Sequence, residues 1–139
     1  EQMARSLSPG LGAQEQLIIL LHDAAEYVIG DMISPFKNAL GMDYRQFEDR
    51  LQQAIHIRFG LPAQISTSLA RVTKSADKGA AYYEATLLAG FSESEALDFF
   101  GYPPTLTREA RLLLDPLPAE HIKSLLIGRV AVLMDQNKA

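Results

Sequence analysis

The stretch that decides the fold is residues 14–29, which read QEQLIILLHDAAEYVI. Its apolar residues recur at the i, i+3, i+4 spacing of an amphipathic helix, and they are Leu17, Leu20, Leu21, Ala24 and Val28. Gly30 follows at once and is a typical C-terminal stop. The pattern therefore predicts one helix over residues 14–29. No stretch alternates apolar and polar residues for long enough to suggest a strand, so the predicted fold class is all-α.

Five further helices are predicted by the same periodicity, with bounds of about 43–59, 63–89, 92–100, 107–114 and 119–134. Ser92 and Glu95 form a capping-box pattern, and Thr107 is a candidate N-cap. Pro35 predicts an irregular loop after the first helix. The residues expected to face a core are Phe47, Leu51, Ala54, Ile55, Leu69, Val72, Ala76, Ala80, Tyr83, Leu87, Ile122, Leu125, Leu126, Val130 and Leu133.

Composition excludes several classes of protein. The 139 residues fit one domain, and 47% hydrophobic with 22% charged residues is typical of a globular chain. A net charge of −4 lacks the basic footprint of nucleic-acid binders. No apolar run approaches the roughly 20 residues of a membrane span, and residues 1–16 do not resemble a signal peptide, so the cytoplasm is expected. Without cysteine, metal chemistry must use histidine and carboxylate.

A cluster of ionisable residues interrupts the first predicted helix. On a continuous helix Glu26 lies one turn from both His22 and Asp23, so the three side chains can approach a common point that would hold a cation. An unpaired charge buried in this apolar helix would cost several kcal/mol, which metal ligation would remove. A chance His-Asp pair is the alternative. His56 and His121 fall on polar faces and are predicted to lie at the surface.

Two motifs resemble one family. The segments HDAAE at 22–26, GD at 30–31 and SPFK at 34–37 resemble the HD-domain metal-dependent phosphohydrolases, nearest to the bacterial 5′-deoxynucleotidase-like branch. The segment KSADKGAAYYEA at 74–85 resembles the second signature of that family. The resemblance implies a single HD domain over residues 1–139, a compact multi-helix bundle with its metal site between the first and third predicted helices.

The resemblance also implies a ligand set. One divalent transition metal (Mn, Co, Fe, Ni or Zn) would be held by His22, Asp23 and Asp77. The family's fourth ligand is an upstream His, and residues 1–21 contain none. Because Glu1 to Ser6 resembles the end of the helix that carries this His, we expect the chain to begin just after it. A solvent-facing Asp77 is the alternative reading.

Roles for the remaining residues follow from the same resemblance. Glu26 and Asp31 are the candidate catalytic residues, and the substrate would meet Asp31, Met32, Ile33, Ser34, Lys37 and Lys74. A merely structural carboxylate is the alternative for Glu26 and for Asp31, and a solvated charged face is the alternative for the lysines.

The function expected is a phosphomonoesterase acting on a small nucleotide, with no nucleic-acid or membrane partner and with homodimerisation left open. The alternative, motivated by the missing His, is a degenerate module that binds a nucleotide or a protein partner without hydrolysis.

Overall fold

The all-α prediction is confirmed in a computed structural model that describes residues 1–30, 32 and 34–138, apart from the side chains of Ser34, Asn38 and Met42. Within these residues every regular element is helical. The helices are α1 (Gln2–Leu7), α2 (Ala13–Leu20), α3 (Glu26–Ile29), α4 (Ser34–Leu40), α5 (Met42–Arg58), α6 (Thr67–Leu87), α7 (Glu93–Phe100), α8 (Arg108–Leu112) and α9 (Ala119–Asn137). Among these helices, none combines the length and apolar character that crossing a bilayer requires.

The chain divides into two units, which are described separately. The first contains Glu1–Ile19 and the chain from Ser66 onward, and the second is Leu20–Ile65. The prediction of a single domain over residues 1–139 stays a prediction.

Helix α6 is the centre of the first unit, with α1 and α7 packed against it. Its buried line contains Leu69, Ala76, Gly79, Tyr82 and Ala85. Leu69 and Ala76 were predicted to be buried, whereas Leu87 is 46% exposed and Tyr82 is more deeply buried than Tyr83. The predicted seam was therefore rotated, because the packing of α1 and α7 decides which face of α6 is covered.

A close approach fixes one position on α6. A Cβ atom on Gly79 would lie 2.6 Å from Met3 Sδ and 2.6 Å from Pro104 Cδ. Real side chains do not approach this closely, so α1 and the segment before α8 can lie against α6 only because residue 79 has no side chain. The Tyr83 hydroxyl donates to the Pro104 carbonyl oxygen at 2.7 Å and holds the same segment from the other side.

Local capping fixes the ends of several helices in the first unit. Ser92 accepts from the Glu95 backbone N–H while the Glu95 carboxylate accepts from the Ser92 backbone N–H, which confirms the capping box. Thr107 caps α8 as predicted. Helix α6 begins at Thr67, four residues later than predicted, because the Ser66 hydroxyl caps it by accepting from the Leu69 N–H.

Helix α9 is one turn longer than predicted and is covered over only part of its length. Leu133 is fully buried, and Arg129 donates to the side-chain oxygens of Glu1 at 2.8 Å and Gln16 at 2.7 Å. By contrast, three residues predicted to face inward are 42–46% exposed, namely Ile122, Leu125 and Leu126. The prediction was wrong for these three because packing in the first unit covers only the C-terminal half of α9.

The helix predicted over residues 14–29 is broken in the structure. Helix α2 ends at Leu20, residues 21–25 form a turn, and α3 resumes at Glu26 and ends at Gly30, whose φ of 79° confirms it as the stop. In the turn the backbone N–H groups of Ala24 and Glu26 donate to carbonyls three residues earlier, at 3.0 and 2.9 Å. The chain is thus wound more tightly than an α-helix at His22 and Asp23.

The second unit also contains a helix where a loop was predicted. Pro35 lies in the first turn of α4, where its missing N–H and fixed φ are tolerated, so the prediction of an irregular loop was wrong. Helix α4 packs against α5. On α5, Phe47 is 47% exposed and Ala54 is also exposed, so the predicted apolar stripe is only partly covered, by Leu51 and Ile55.

Candidate active site at the His22–Asp23 turn

The second unit contains a cavity of about 230 Å³ beside the turn of residues 21–25. Its polar lining residues are His22, Asp23, Glu26, Glu48, Asp49 and Gln52. The side chains of His22, Asp23 and Glu26 therefore line one cavity, as their spacing predicts, although the helix between them is interrupted. Four of the lining residues are acidic and one is a histidine, so the cavity suits a cation.

The His22–Asp23 pair is accessible to solvent. His22 Nε2 lies 2.9 Å from Asp23 Oδ2, and the two side chains are 35% and 58% exposed. The expectation that these charges are buried in an apolar helix was wrong, because the turn carries both side chains out to the cavity. Their imidazole and carboxylate groups and their short mutual distance, rather than any cost of burial, make these two residues candidate metal ligands.

Glu26 shares a lysine with Glu48. Lys37 Nζ lies 3.3 Å from Glu26 Oε1 and 2.7 Å from Glu48 Oε1, and all three side chains are about one-fifth exposed. The hydrogen bond to Glu48 is the largest cause that raises the pKa of Lys37 above its usual range, and the bond to Glu26 adds to it. Lys37, predicted to meet the substrate phosphate, thus already has two carboxylate partners.

The predicted substrate loop lies partly outside the described residues. Asp31 and Ile33 lie outside the described residues, as does the side chain of Ser34. Met32 is described, and it is partly buried and outside any helix. The roles predicted for these four residues stay predictions.

Asp77 and Lys74 lie on α6 in the first unit. Lys74 Nζ is 2.7 Å from Asp77 Oδ2, and the two side chains are 67% and 36% exposed. Farther along α6, burial raises the pKa of Glu84, and the nearby Asp77 charge raises it further. The prediction that Asp77 shares a metal with His22 and Asp23 stays a prediction, because the two sets of residues belong to units that are described separately.

His56 does not lie at the surface, contrary to the prediction. It is only 4% exposed, and its ring nitrogens contact the Gln52 amide and the Pro62 carbonyl oxygen. Burial lowers the pKa of His56, although the bond to Pro62 opposes this shift. His121 is exposed on α9, as predicted.

The sequence analysis did not identify Glu48 and Gln52 as residues that line the cavity. A signal was present, since Glu48, Gln52 and His56 follow one another at four-residue spacing and form a polar stripe along α5. Such a stripe on a helix with an adjacent apolar stripe indicates polar residues that face another part of the protein.

Comparison with known proteins adds a relative without a known function. No family model matches the chain. An uncharacterized protein of Rhodobacter capsulatus is 47% identical over 119 residues, which is 85% of this chain and 61% of that relative. Because the chain spans only 61% of the relative's length, the activity, substrates and partners of the whole protein are proposals.

Proposed function

We propose that the chain belongs to a metal-dependent phosphohydrolase that removes phosphate from a small nucleotide. The observation that carries the proposal is the presence of His22, Asp23 and Glu26 in one solvent-accessible, acidic cavity. An imidazole and a carboxylate next to a further carboxylate are the groups that hydrolytic metal sites use for ligation and for proton transfer. The HD-type motifs around the same residues favour phosphate esters as substrates.

The residues at the turn fit a divalent metal. His22 Nε2 and Asp23 Oδ2 are 2.9 Å apart, which is close to the roughly 3 Å that separates neighbouring ligand atoms around an ion with bonds of about 2.1 Å at right angles. Mixed imidazole and carboxylate ligands suit Mn, Fe, Co, Ni or Zn. Asp77 is proposed as a further ligand from the sequence motif.

When bound, such an ion would polarise a phosphoryl oxygen and favour the ionisation of water. Glu26 would accept the proton from the attacking water and return one to the leaving oxygen. Lys37 holds Glu26 Oε1 at 3.3 Å and so restricts the orientation of that carboxylate. Glu48 holds the other side of the Lys37 ammonium, which keeps the cation beside Glu26.

Phosphate release tests the proposal. Full-length protein incubated with a panel of nucleoside monophosphates and Mn²⁺ or Co²⁺ should release inorganic phosphate. The variant His22→Ala should lose this activity, whereas His121→Ala, which removes an exposed histidine on α9, should keep it. Absence of phosphate release across the whole panel would overturn the proposal.

The same panel tests the alternative function. Nucleotide binding measured by calorimetry, without phosphate release, would favour a module that binds but does not hydrolyse. A cytoplasmic location and a homodimer remain predictions from the sequence.

A further inference from the structure

The side-chain amide of Gln52 contacts both ends of the turn that carries His22 and Asp23. Gln52 Nε2 donates to the Leu21 carbonyl oxygen at 2.7 Å, and the Ala25 backbone N–H donates to Gln52 Oε1 at 3.1 Å. One side chain of α5 therefore bridges Leu21, immediately before the His-Asp pair, and Ala25, two residues after it.

The polarity of these two contacts determines how the amide is oriented. A flipped amide would place oxygen against the Leu21 carbonyl oxygen and NH₂ against the Ala25 N–H, so both bonds would be lost. The observed orientation is the one in which donor meets acceptor at both ends. A glutamate at position 52 could accept from Ala25 but, when ionised, could not donate to Leu21.

His56 supports this orientation from the next turn of α5. Its Nε2 lies 3.0 Å from Gln52 Nε2, and its Nδ1 lies 3.2 Å from the Pro62 carbonyl oxygen. Because the Gln52 nitrogen and the Pro62 oxygen are respectively a donor and an acceptor, the ring must accept at Nε2 and donate from Nδ1. His56 is therefore neutral in this arrangement, with its proton on Nδ1.

We infer that Gln52, oriented by His56, is a positioning residue that sets the geometry of the His22–Asp23 turn for metal binding. The inference rests on the proposed function, since it is the proposed metal that makes the geometry of the turn matter. The turn needs support because it interrupts the helix and contains hydrogen bonds of the three-residue type. Groups that orient metal ligands from outside the ligand set commonly change metal affinity 10- to 100-fold when they are removed.

The first test concerns the turn without metal. In Gln52→Ala, the Ala25 amide proton loses its acceptor and should exchange with solvent at least about tenfold faster than in the wild type. Gln53→Ala is the matched control, because it removes the neighbouring amide on α5 and should leave Ala25 exchange unchanged. Unchanged exchange in Gln52→Ala would show that Gln52 does not hold the turn and would overturn the inference.

The second test concerns the metal. Co²⁺ titration of full-length protein, followed by visible absorption, should show 10- to 100-fold weaker binding for Gln52→Met, which removes both contacts to the turn without adding a charge to the cavity, and no change for Gln53→Met. Gln52→Met keeps about the length of the side chain, and thermal unfolding of both variants identifies any loss of folding. Affinity within twofold of the wild type in folded Gln52→Met would overturn only this inference. A wild type that binds no Co²⁺ would overturn the metal-dependent function as well.

Discussion

The turn at residues 21–25 and helix α7 are stabilised in opposite ways. Helix α7 begins with a capping box whose two members are three residues apart. The turn is held by Gln52, which lies 27 residues from Ala25 and 31 from Leu21, and Lys37 reaches 11 residues to each of Glu26 and Glu48. A local cap preserves one helix end. A turn held from a distance can have its shape set by another helix, which is what a site with strict geometry needs.

The largest effect is expected from Glu26→Gln. The amide can still accept from Lys37 but cannot take a proton, so turnover should fall by about 10² to 10⁴ while metal content stays the same. Steady-state phosphate release and elemental analysis measure the two quantities. Glu48→Gln changes the other partner of Lys37 and should reduce turnover less. Unchanged turnover in Glu26→Gln would mean that Glu26 has only a structural role as a partner of Lys37.

The second prediction tests whether Asp77, which pairs with Lys74 in this structure, is also a metal ligand. Asp77 pairs with Lys74, and Asp135 pairs with Lys138, each across three residues of a helix surface. Asp77→Ala should reduce bound metal at least about tenfold, because it removes a proposed ligand, and should change the free energy of unfolding by less than about 1 kcal/mol. Asp135→Ala should change neither quantity. A full equivalent of metal in purified Asp77→Ala would show that Asp77 is not a ligand.

The third prediction compares two glycines within helices of the first unit. Gly79→Ala forces a Cβ against Met3 and Pro104 and should lower the free energy of unfolding by about 1–3 kcal/mol. Gly128→Ala meets no atom within 4 Å and should raise it by about 0.5–1 kcal/mol through the higher helix propensity of alanine. Urea unfolding of both variants gives the sign of each change. Equal changes would mean that α1 does not lie close against α6.

The fourth prediction tests how far the effect of a local cap extends. Ser92→Ala removes the hydroxyl that accepts from the Glu95 N–H and should lower the free energy of unfolding by about 0.5–2 kcal/mol. Metal affinity and turnover should be unchanged at a temperature where the variant is folded. A loss of metal affinity in folded Ser92→Ala would contradict the division between local caps and the remotely held turn.

The smallest effect is expected from acidification. Burial lowers the pKa of His56, so as pH falls below the ordinary value of about 6.5 the unfolded chain takes up a proton before the folded chain does. The free energy of unfolding should therefore be at its full value above this pH and decrease below it, by at most about 1.4 kcal/mol per pH unit for one proton. Urea unfolding at several pH values measures the slope.

Matched variants assign that slope to one histidine. His56→Gln should flatten the dependence, whereas the control variant His121→Gln on α9 should leave it intact. A slope that survives in His56→Gln would mean that another group is responsible.

Local signals in the sequence predicted local features of the fold. Ser92 and Thr107 cap the starts of helices, and Gly30 ends one. Each of these roles depends only on residues a few positions away in the sequence. The break after Leu20 could not be read in this way, because the apolar spacing continues through residues 21–28 while the turn depends on α5. Burial of the predicted inner face of α9 likewise depends on which elements reach it.

The candidate site was predictable to a similar extent. His22, Asp23 and Glu26 are near one another in sequence and meet at one cavity. The pairing of Lys37 with two carboxylates was not predictable, because it depends on how α4, α5 and the turn pack. The polar stripe along α5 was a signal that His56 faces another part of the protein, but the depth of its burial also depends on that packing. Long-range packing therefore supplied the orienting groups that the motif itself does not contain.

The edge-to-face pair of Tyr82 and Tyr83, with ring centroids 5.3 Å apart, makes the first unit optically distinct. The chain has no tryptophan, so its near-ultraviolet circular dichroism comes mainly from tyrosine. Tyr27 and Tyr102 are more than 90% exposed, and freely rotating rings contribute little to such a signal. In a Tyr44→Phe background, which removes the partly buried tyrosine of the second unit, loss of the near-ultraviolet band would thus report loosening of α6 against α7, a signal separate from amide exchange at Ala25 in the second unit.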